Sequence, residues 1–231
     1  MTPEQFAQGH IQLIDKPYTW TSFQVVNKLK YILKNDYGLK KVKIGHAGTL
    51  DPLATGLLII CIGKATKQIE TLQSGEKEYT GTFVLGATTP CFDLEKAIDA
   101  TYPTEHINEE MLHTVAQSFV GEIEQVPPTF SAVKINGRRA FDYARNNEEI
   151  EIKAKKITIS EFELTRIAMP EVDFRIVCSK GTYIRAIARD FGAALQSGAH
   201  LKTLRRTRIG TYSVDNALNI EDVCEAWKKS E

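Results

Sequence analysis

Most features that would assign a chemistry at sight are missing from this sequence of 231 residues. The four cysteines, Cys61, Cys91, Cys178 and Cys224, are widely scattered and form neither a CxxC pair nor the dense framework of a small secreted domain. They read as reduced structural thiols, and the expected location is the cytoplasm. The longest wholly apolar run, Leu57 to Ile62, is far shorter than the roughly 20 residues that span a bilayer as a helix. Met1 to His10 is polar, without the apolar centre of a signal peptide, so no membrane partner is expected. No repeat, low-complexity tract or linker-like composition divides the chain. Metal-ligand spacing is also missing: His106 and His113 stand seven apart with no HExxH. Gly63-Lys64-Ala65 imitates the end of a phosphate-binding loop, but the earlier glycine and the metal-binding hydroxyl are lacking, and no GxGxxG follows a strand. The expectation is a reaction with no metal and no cofactor, or no reaction at all.

Neither sign of charge is in excess, since 29 Lys and Arg balance 29 Asp and Glu. That balance argues against a nucleic-acid binder, but the distribution argues for one. Residues 28–43 carry six lysines against Asp36 alone, and residues 175–210 carry eight Lys and Arg against Asp190 alone. Residues 93–124 reverse this, with eight acids against Lys96. A neutral chain with segregated charge can still present a basic face to phosphates, although each cluster could equally be a solvated face.

At 42% hydrophobic and 25% charged residues, the chain can bury a full core. Thr21 or Ser22 can cap a helix whose inner face is Val25, Val26, Leu29, Ile32 and Leu33. Glu78 to Gly86 alternates as a strand, and Asn108 opens a second helix that stops at Gly121. Two prolines make Gln125 to Ser131 irregular, and residues 150–164 and 172–178 read as strands. Helical spacing resumes from about Thr182, and a short helix over Ile220 to Trp227 closes the chain. Helices and strands intermix without strict alternation, which predicts an α+β fold around a mostly antiparallel, mixed sheet, with residues 1–231 as a single catalytic domain.

The segment Lys43 to Gly56 (KIGHAGTLDPLATG) places one carboxylate, one imidazole and three glycines in a stretch too rich in Gly and Pro for a helix interior. It runs directly into the apolar strand Leu57–Ile62, and an irregular loop braced by a buried strand is a common seat for a catalytic side chain. The plainer reading is that Asp51-Pro52 opens a turn. Residues 125–152 combine Lys134, Arg138, Arg139 and Arg145 with Phe130, Phe141 and Tyr143, a mixture suited to phosphate contact and stacking on RNA loops.

The run GHAGTLDPLATGLL (45–58) resembles the signature of the TruB family of RNA pseudouridine synthases, and further matches extend from about residue 11 to about residue 212. Asp15-Lys16-Pro17-Tyr18-Thr19-Trp20-Thr21-Ser22 is similar to the family's DKPxGxTS motif, departing at Thr19, where glycine is usual. Lys77-Glu78-Tyr79, the segment Gln125 to Lys134, Lys180-Gly181-Thr182-Tyr183-Ile184-Arg185, and Leu204-Arg205-Arg206-Thr207 follow its other blocks.

The resemblance implies a pseudouridine-synthase-like core with an RNA-binding cleft, and isomerisation of a flipped-out uridine in the T-arm of tRNA, without cofactor or metal. It implies Asp51, Tyr79 and Arg185 as catalytic residues. It implies His46, Tyr183 and Leu204 as the substrate pocket, and Arg205 and Arg206 as RNA contacts beside those of residues 125–152, which would be an inserted clamp. Residues 211–231 would be a helical tail with no PUA domain, on a monomer needing no guide RNA or protein partner. Other readings stay open for each residue: a surface arginine for Arg185, core positions for Tyr79, Tyr183 and Leu204, and a loop hydrogen bond for His46. Two rival functions also stay open, a synthase acting on another RNA and a non-catalytic RNA-binding or folding protein.

Overall fold

The strand Ala54–Ile62 explains how the continuous apolar run is used. Its side chains alternate, so Leu58, Ile60 and Ile62 enter one hydrophobic cluster while Leu57, Ile59 and Cys61 enter another. A strand buried on both faces needs apolar residues at every position, which is why the run does not alternate with polar ones.

The computed structural model describes residues 1–228 except 132, 136, 147 and 149. The side chains of Lys134, Arg139, Phe141, Ala144 and Arg145 also lie outside the described set. In chain order the first elements are α1 (Pro3–Gln8), β1 (His10–Lys16), α2 (Ser22–Asn35), β2 (Ile44–His46), β3 (Ala54–Ile62), a 3-10 turn (Gly63–Gln68), α3 (Ile69–Ser74) and β4 (Lys77–Leu85). Next come β5 (Ala87–Thr88), β6 (Ala100–Thr101), α4 (Glu109–Ser118), β7 (Gly121–Gln125), β8 (Lys134–Ile135), β9 (Arg138–Arg139) and α5 (Ala140–Arg145). The last are β10 (Lys155–Ala168), β11 (Glu171–Cys178), α6 (Ile184–Ala194), β12 (Ala199–Ile209), β13 (Tyr212–Ser213), β14 (Leu218–Asn219) and α7 (Ile220–Trp227). The fold is α+β with mostly antiparallel pairing, as the sequence predicts.

The chain forms two compact units, one of residues 1–79 and 204–231 and one of residues 80–203. In the first, strands run β14-β1-β3-β12, with β2 and β13 added at β3 and β12. β1 and β2 pair antiparallel to β3, whereas β12 pairs parallel to it, in the register Leu204 to Ala54, Arg205 to Thr55 and Arg206 to Gly56. Gly56, at φ +99°, permits this pairing, because a Cβ there would lie 2.3 Å from the Arg206 carbonyl oxygen. Helices α1, α2 and α7 cover one face: Phe6, Val25, Leu29, Leu33, Val223 and Trp227 pack with Ile14, Leu58 and Ile60.

In the second unit the order is β4-β11-β10-β7, joined by two small hairpins, β5-β6 and β8-β9. Its core is aromatic, with Phe83 stacked on Phe174 at 4.1 Å and Phe162 and Phe191 packed around them.

Three sequence expectations change. Strand β10 begins at Lys155 rather than near residue 150. Residues 199–209 form an eleven-residue strand that spacing alone did not suggest. Third, the basic stretch 175–210 is not a continuous cationic face. Arg175 meets Glu161, Arg189 meets Asp190, Lys202 meets Glu171, Arg205 meets Asp15 and Arg208 faces Glu76 and Glu78, while Arg185 and Arg206 are buried. Strand pairing brings acids from distant segments onto Arg175, Lys202, Arg205 and Arg208. Arg189 meets its neighbour within α6, and Lys180 stays exposed without an ion pair to a described residue.

Candidate active site

In the first unit the catalytic candidate sits on the link between β2 and β3. Ala47 donates to the Ile59 carbonyl at 2.9 Å, continuing the β2–β3 ladder, after which residues 48–53 leave the sheet. Ala54 N–H donates to the Asp51 carbonyl at 3.1 Å, so Asp51-Pro52-Leu53-Ala54 is a hydrogen-bonded turn with proline at its second position. The plainer reading of Asp51-Pro52 is therefore correct as local structure. It also leaves the half-buried Asp51 side chain on a loop rather than in a ladder.

Three side chains brace that loop. Thr21 caps α2 through a reciprocal box with Gln24, leaving the next hydroxyl for another use. Ser22 Oγ accepts from Leu50 N–H at 2.8 Å and donates to the Leu50 carbonyl at 3.2 Å, tying the start of α2 to the residue before Asp51. Arg206, 1% exposed, donates from Nε to Leu57 O at 2.8 Å, from Nη2 to Gly48 O at 3.0 Å and from Nη1 to Thr49 O at 3.3 Å. Lys16, fully buried, directs its ammonium at the carbonyls of Pro17 (3.0 Å), Trp20 and Pro52 (3.3 Å), so all three donors are engaged. Burial pushes Lys16 down to about 8, a shift that the Asp51 carboxylate opposes and the Arg206 charge adds to. The Asp51 loop therefore rests on two buried cations.

His46 ends β2, opposite Ile60. Burial and then the charge of Arg206 hold its imidazole below the ordinary histidine range, which favours the neutral ring near pH 7. Leu204, 9% exposed, is registered against Ala54, three residues after Asp51, and Thr55 Oγ1 approaches its carbonyl at 3.5 Å. Tyr79, 8% exposed, lies near the start of β4, where Thr207 Oγ1 donates to the neighbouring Glu78 carboxylate at 2.7 Å. Register thus gathers Leu204 and Asp51 at one end of β3.

Tyr183 and Arg185 belong to the second unit. Gln125, 2% exposed, clamps the Tyr183 backbone by accepting from its N–H at 2.8 Å and donating to its carbonyl at 3.2 Å. Arg185 is not a surface helix arginine. It is 5% exposed, donates to the carbonyls of Cys91 (3.2 Å) and Phe130 (3.0 Å), and its Nε lies 3.6 Å from Asp93 Oδ2.

The expected RNA contacts divide three ways. Arg206 is a correction: its guanidinium is committed to loop carbonyls and is out of reach of a phosphate. Arg205 remains partly exposed but is paired with Asp15 at 3.0 and 2.6 Å. Arg138 is exposed, held by both Glu148 oxygens at 3.1 Å, and lies 4.2 Å over the Tyr143 ring. Lys134, Arg139 and Arg145 lie on β8, β9 and α5, with side chains outside the described ones. Residue-by-residue reading gave Lys16 no role. The signal was present in β1, whose alternation puts Lys16 on the same face as the buried Ile14.

Elsewhere in the first unit a cavity of about 670 Å³ is lined by Lys40, Lys41, Lys43, Lys64 and Lys67, together with Leu39 and Val42. None of these lysines, nor Lys28, Lys30 and Lys34 of α2, forms an ion pair with a described residue, so the 28–43 cluster keeps its positive charge. No group of His, Cys, Asp and Glu suited to a metal was found among the described residues. No helix among them is long and apolar enough to cross a membrane.

Comparison with known proteins supplies the context for this geometry. Residues 34–184 match the model of the TruB family pseudouridylate synthase N-terminal domain, and residues 185–231 match the tRNA pseudouridylate synthase B C-terminal domain. A protein of Flavobacterium johnsoniae named tRNA pseudouridine synthase B is 63% identical over 221 residues, covering 95% of this chain and 96% of that one. The protein of the same name from Phocaeicola vulgatus is 57% identical, covering 95% and 94%. Among solved structures, a chain of a Cbf5-Nop10-Gar1 complex superposes with a TM-score of 0.73 at 30% identity over 97% of this chain. A chain of an H/ACA RNP bound to a substrate RNA containing 2'-deoxyuridine does so at 0.70 and 27%. The present chain spans 56% and 55% of those two longer chains.

Proposed function

The chain belongs to the TruB family of pseudouridylate synthases, and on that premise we propose that it isomerises uridine in tRNA, at position 55 of the TΨC loop. The observation carrying this reading is the Asp51 loop: a half-buried carboxylate on a turn braced by Ser22, Lys16 and Arg206, with Leu204 in register beside it. Relatives more than half identical over nearly their whole length bear the name tRNA pseudouridine synthase B, which supports tRNA as the substrate.

In the proposed reaction the C1′–N1 bond breaks, the uracil turns, and a C1′–C5 bond forms. C5 loses its proton and N1 gains one, so atoms and charge balance without oxidant or cofactor. The Asp51 carboxylate serves the detachment step, either by attacking C1′ or by taking a proton from the sugar; both are within the chemistry of a carboxylate. Reaching C1′ requires the base to leave its stack. Tyr79 offers a ring for the flipped uracil and a hydroxyl for the C5 proton, with Leu204 and His46 beside the loop. The family resemblance gives Tyr183 the role of a substrate contact and Arg185 that of the cation. The five lysines around the cavity suit contact with RNA phosphates. In this reading residues 1–231 act as one catalytic domain in the cytoplasm, and the 125–152 segment contacts RNA.

The test is Asp51→Asn, a near-isosteric change that removes the carboxylate. Pseudouridine formed in a T-arm stem-loop is followed by chemical derivatisation, because the reaction leaves mass unchanged. The expected result is no detectable product at enzyme concentrations where the unmodified protein converts all of the RNA. Undiminished conversion would refute the role of Asp51. Conversion of other RNA loops as fast as the T-arm would refute the substrate assignment.

A further inference from the structure

Helix α2 buries Val25, Val26, Leu29, Ile32 and Leu33, and what it leaves outside is unusual. At 100° per residue, positions 23, 27, 30, 31 and 34 fall within an arc of about 100° opposite the buried face. They are Phe23, Asn27, Lys30, Tyr31 and Lys34. Phe23 is 67% and Tyr31 66% exposed, more than any other large hydrophobic side chain among the described residues. Lys30 and Lys34 lie exposed beside them without an ion pair to a described residue. A single exposed aromatic needs no explanation. Two on one helical face, flanking two unneutralised lysines, combine a stacking surface with phosphate-binding charge.

The position of the face is as informative as its composition. The first turn of α2 is tied to the Asp51 loop through the two Ser22–Leu50 hydrogen bonds, and Phe23 is the next residue. From there the face runs away from the loop, with Tyr31 about 12 Å further along the axis at 1.5 Å per residue. The chain after α2 leads to Gly38–Lys43 at the lysine-lined cavity.

We propose that this face of α2 is a docking track for unpaired nucleotides of the substrate RNA outside the target uridine, with bases stacking on Phe23 and Tyr31 and phosphates meeting Lys30 and Lys34. This rests on the RNA-modifying function proposed above. The 12 Å spacing exceeds the 3.4 Å step of stacked neighbours several times, so each ring receives a separate base. A second copy of the chain is a poorer occupant, because a two-fold contact through this face would set Lys30 and Lys34 near their own copies. RNA satisfies both the rings and the charges.

The experiment measures Kd for unmodified tRNA by filter binding between 50 and 200 mM salt. Phe23→Ala and Tyr31→Ala are each expected to weaken binding by about 5- to 150-fold, the range of base–aromatic stacking. Phe23→Trp should retain affinity, which mere loss of helix stability would not predict. Lys30→Ala with Lys34→Ala should reduce the slope of log Kd against log salt by about 1.4, for two phosphates of a single strand. Unchanged Kd and slope in these variants would overturn the proposal. So would a concentration-dependent dimer that Phe23→Ala dissolves, which would assign the face to a second copy. Conversion of tRNA by the unmodified protein is scored separately. If it fails, the functional reading fails while the affinities still decide the docking; if it succeeds with Kd unmoved, only the docking track falls.

Discussion

Replacing Arg206 with Met separates two views of a basic residue in a motif. On the sequence it belongs with the RNA contacts; in the structure it is 1% exposed and holds the Asp51 loop. Its bonds to Leu57 O (2.8 Å) and Gly48 O (3.0 Å) are well formed, and that to Thr49 O (3.3 Å) is weaker. Counting only the two good ones at about 1.5–3 kcal/mol each gives about 3–6 kcal/mol. Methionine fills much of the stem volume and removes the cost of keeping a guanidinium out of water, which offsets part of the loss. Against this, three carbonyls lose their donor. The expected net destabilisation is about 3 kcal/mol. In urea, with a slope of about 2–3 kcal/mol/M, the midpoint should fall by about 1 M or more. Activity should fall as well, through loss of loop geometry rather than RNA affinity. A midpoint within about 0.2 M of the unmodified protein, together with a salt slope for RNA binding reduced by about one phosphate, would refute the bracing role and restore Arg206 as an RNA contact.

Two further outcomes concern the end of β1 and its link to α2. Thr19 sits at φ +69°, the left-handed region that a β-branched residue adopts only under strain, in a motif where the family resemblance leads one to expect glycine. Thr19→Gly should therefore raise stability by about 1 kcal/mol, read as a higher melting temperature by about 2–4 °C; a fall would show that the Thr19 side chain outweighs the strain. Lys16 is pushed from 10.5 down to about 8 in the folded chain. Between those values the unfolded chain binds the extra proton, so the stability contributed by this site rises with pH, and below about 8 the full cost of burying the ammonium is present. The stability difference between the unmodified protein and Lys16→Met, followed from pH 7 to pH 10, should shift in favour of the unmodified protein; a flat difference would sink the argument.

Elements whose burial is periodic follow from local sequence alone. The inner face of α2, the strand ending at Ile62, the Asn108 cap of α4 and the final helix were legible because hydrophobic spacing and capping are local properties. The sequence also carried the family motifs, and with them Asp51 as the candidate catalyst. What it could not decide were partnerships set by register. Arg205 and Asp15 are 190 positions apart, and only the β1–β3–β12 ladder makes them an ion pair. The same ladder turns Arg206 inward under the Asp51 loop, and strand pairing neutralises Arg175, Lys202, Arg205 and Arg208 with acids from other strands. Charge along a chain is additive, but charge on a surface depends on which strands lie side by side. That is a tertiary outcome, and it leaves the lysines of α2 and of the loop that follows it without an ion pair to a described residue.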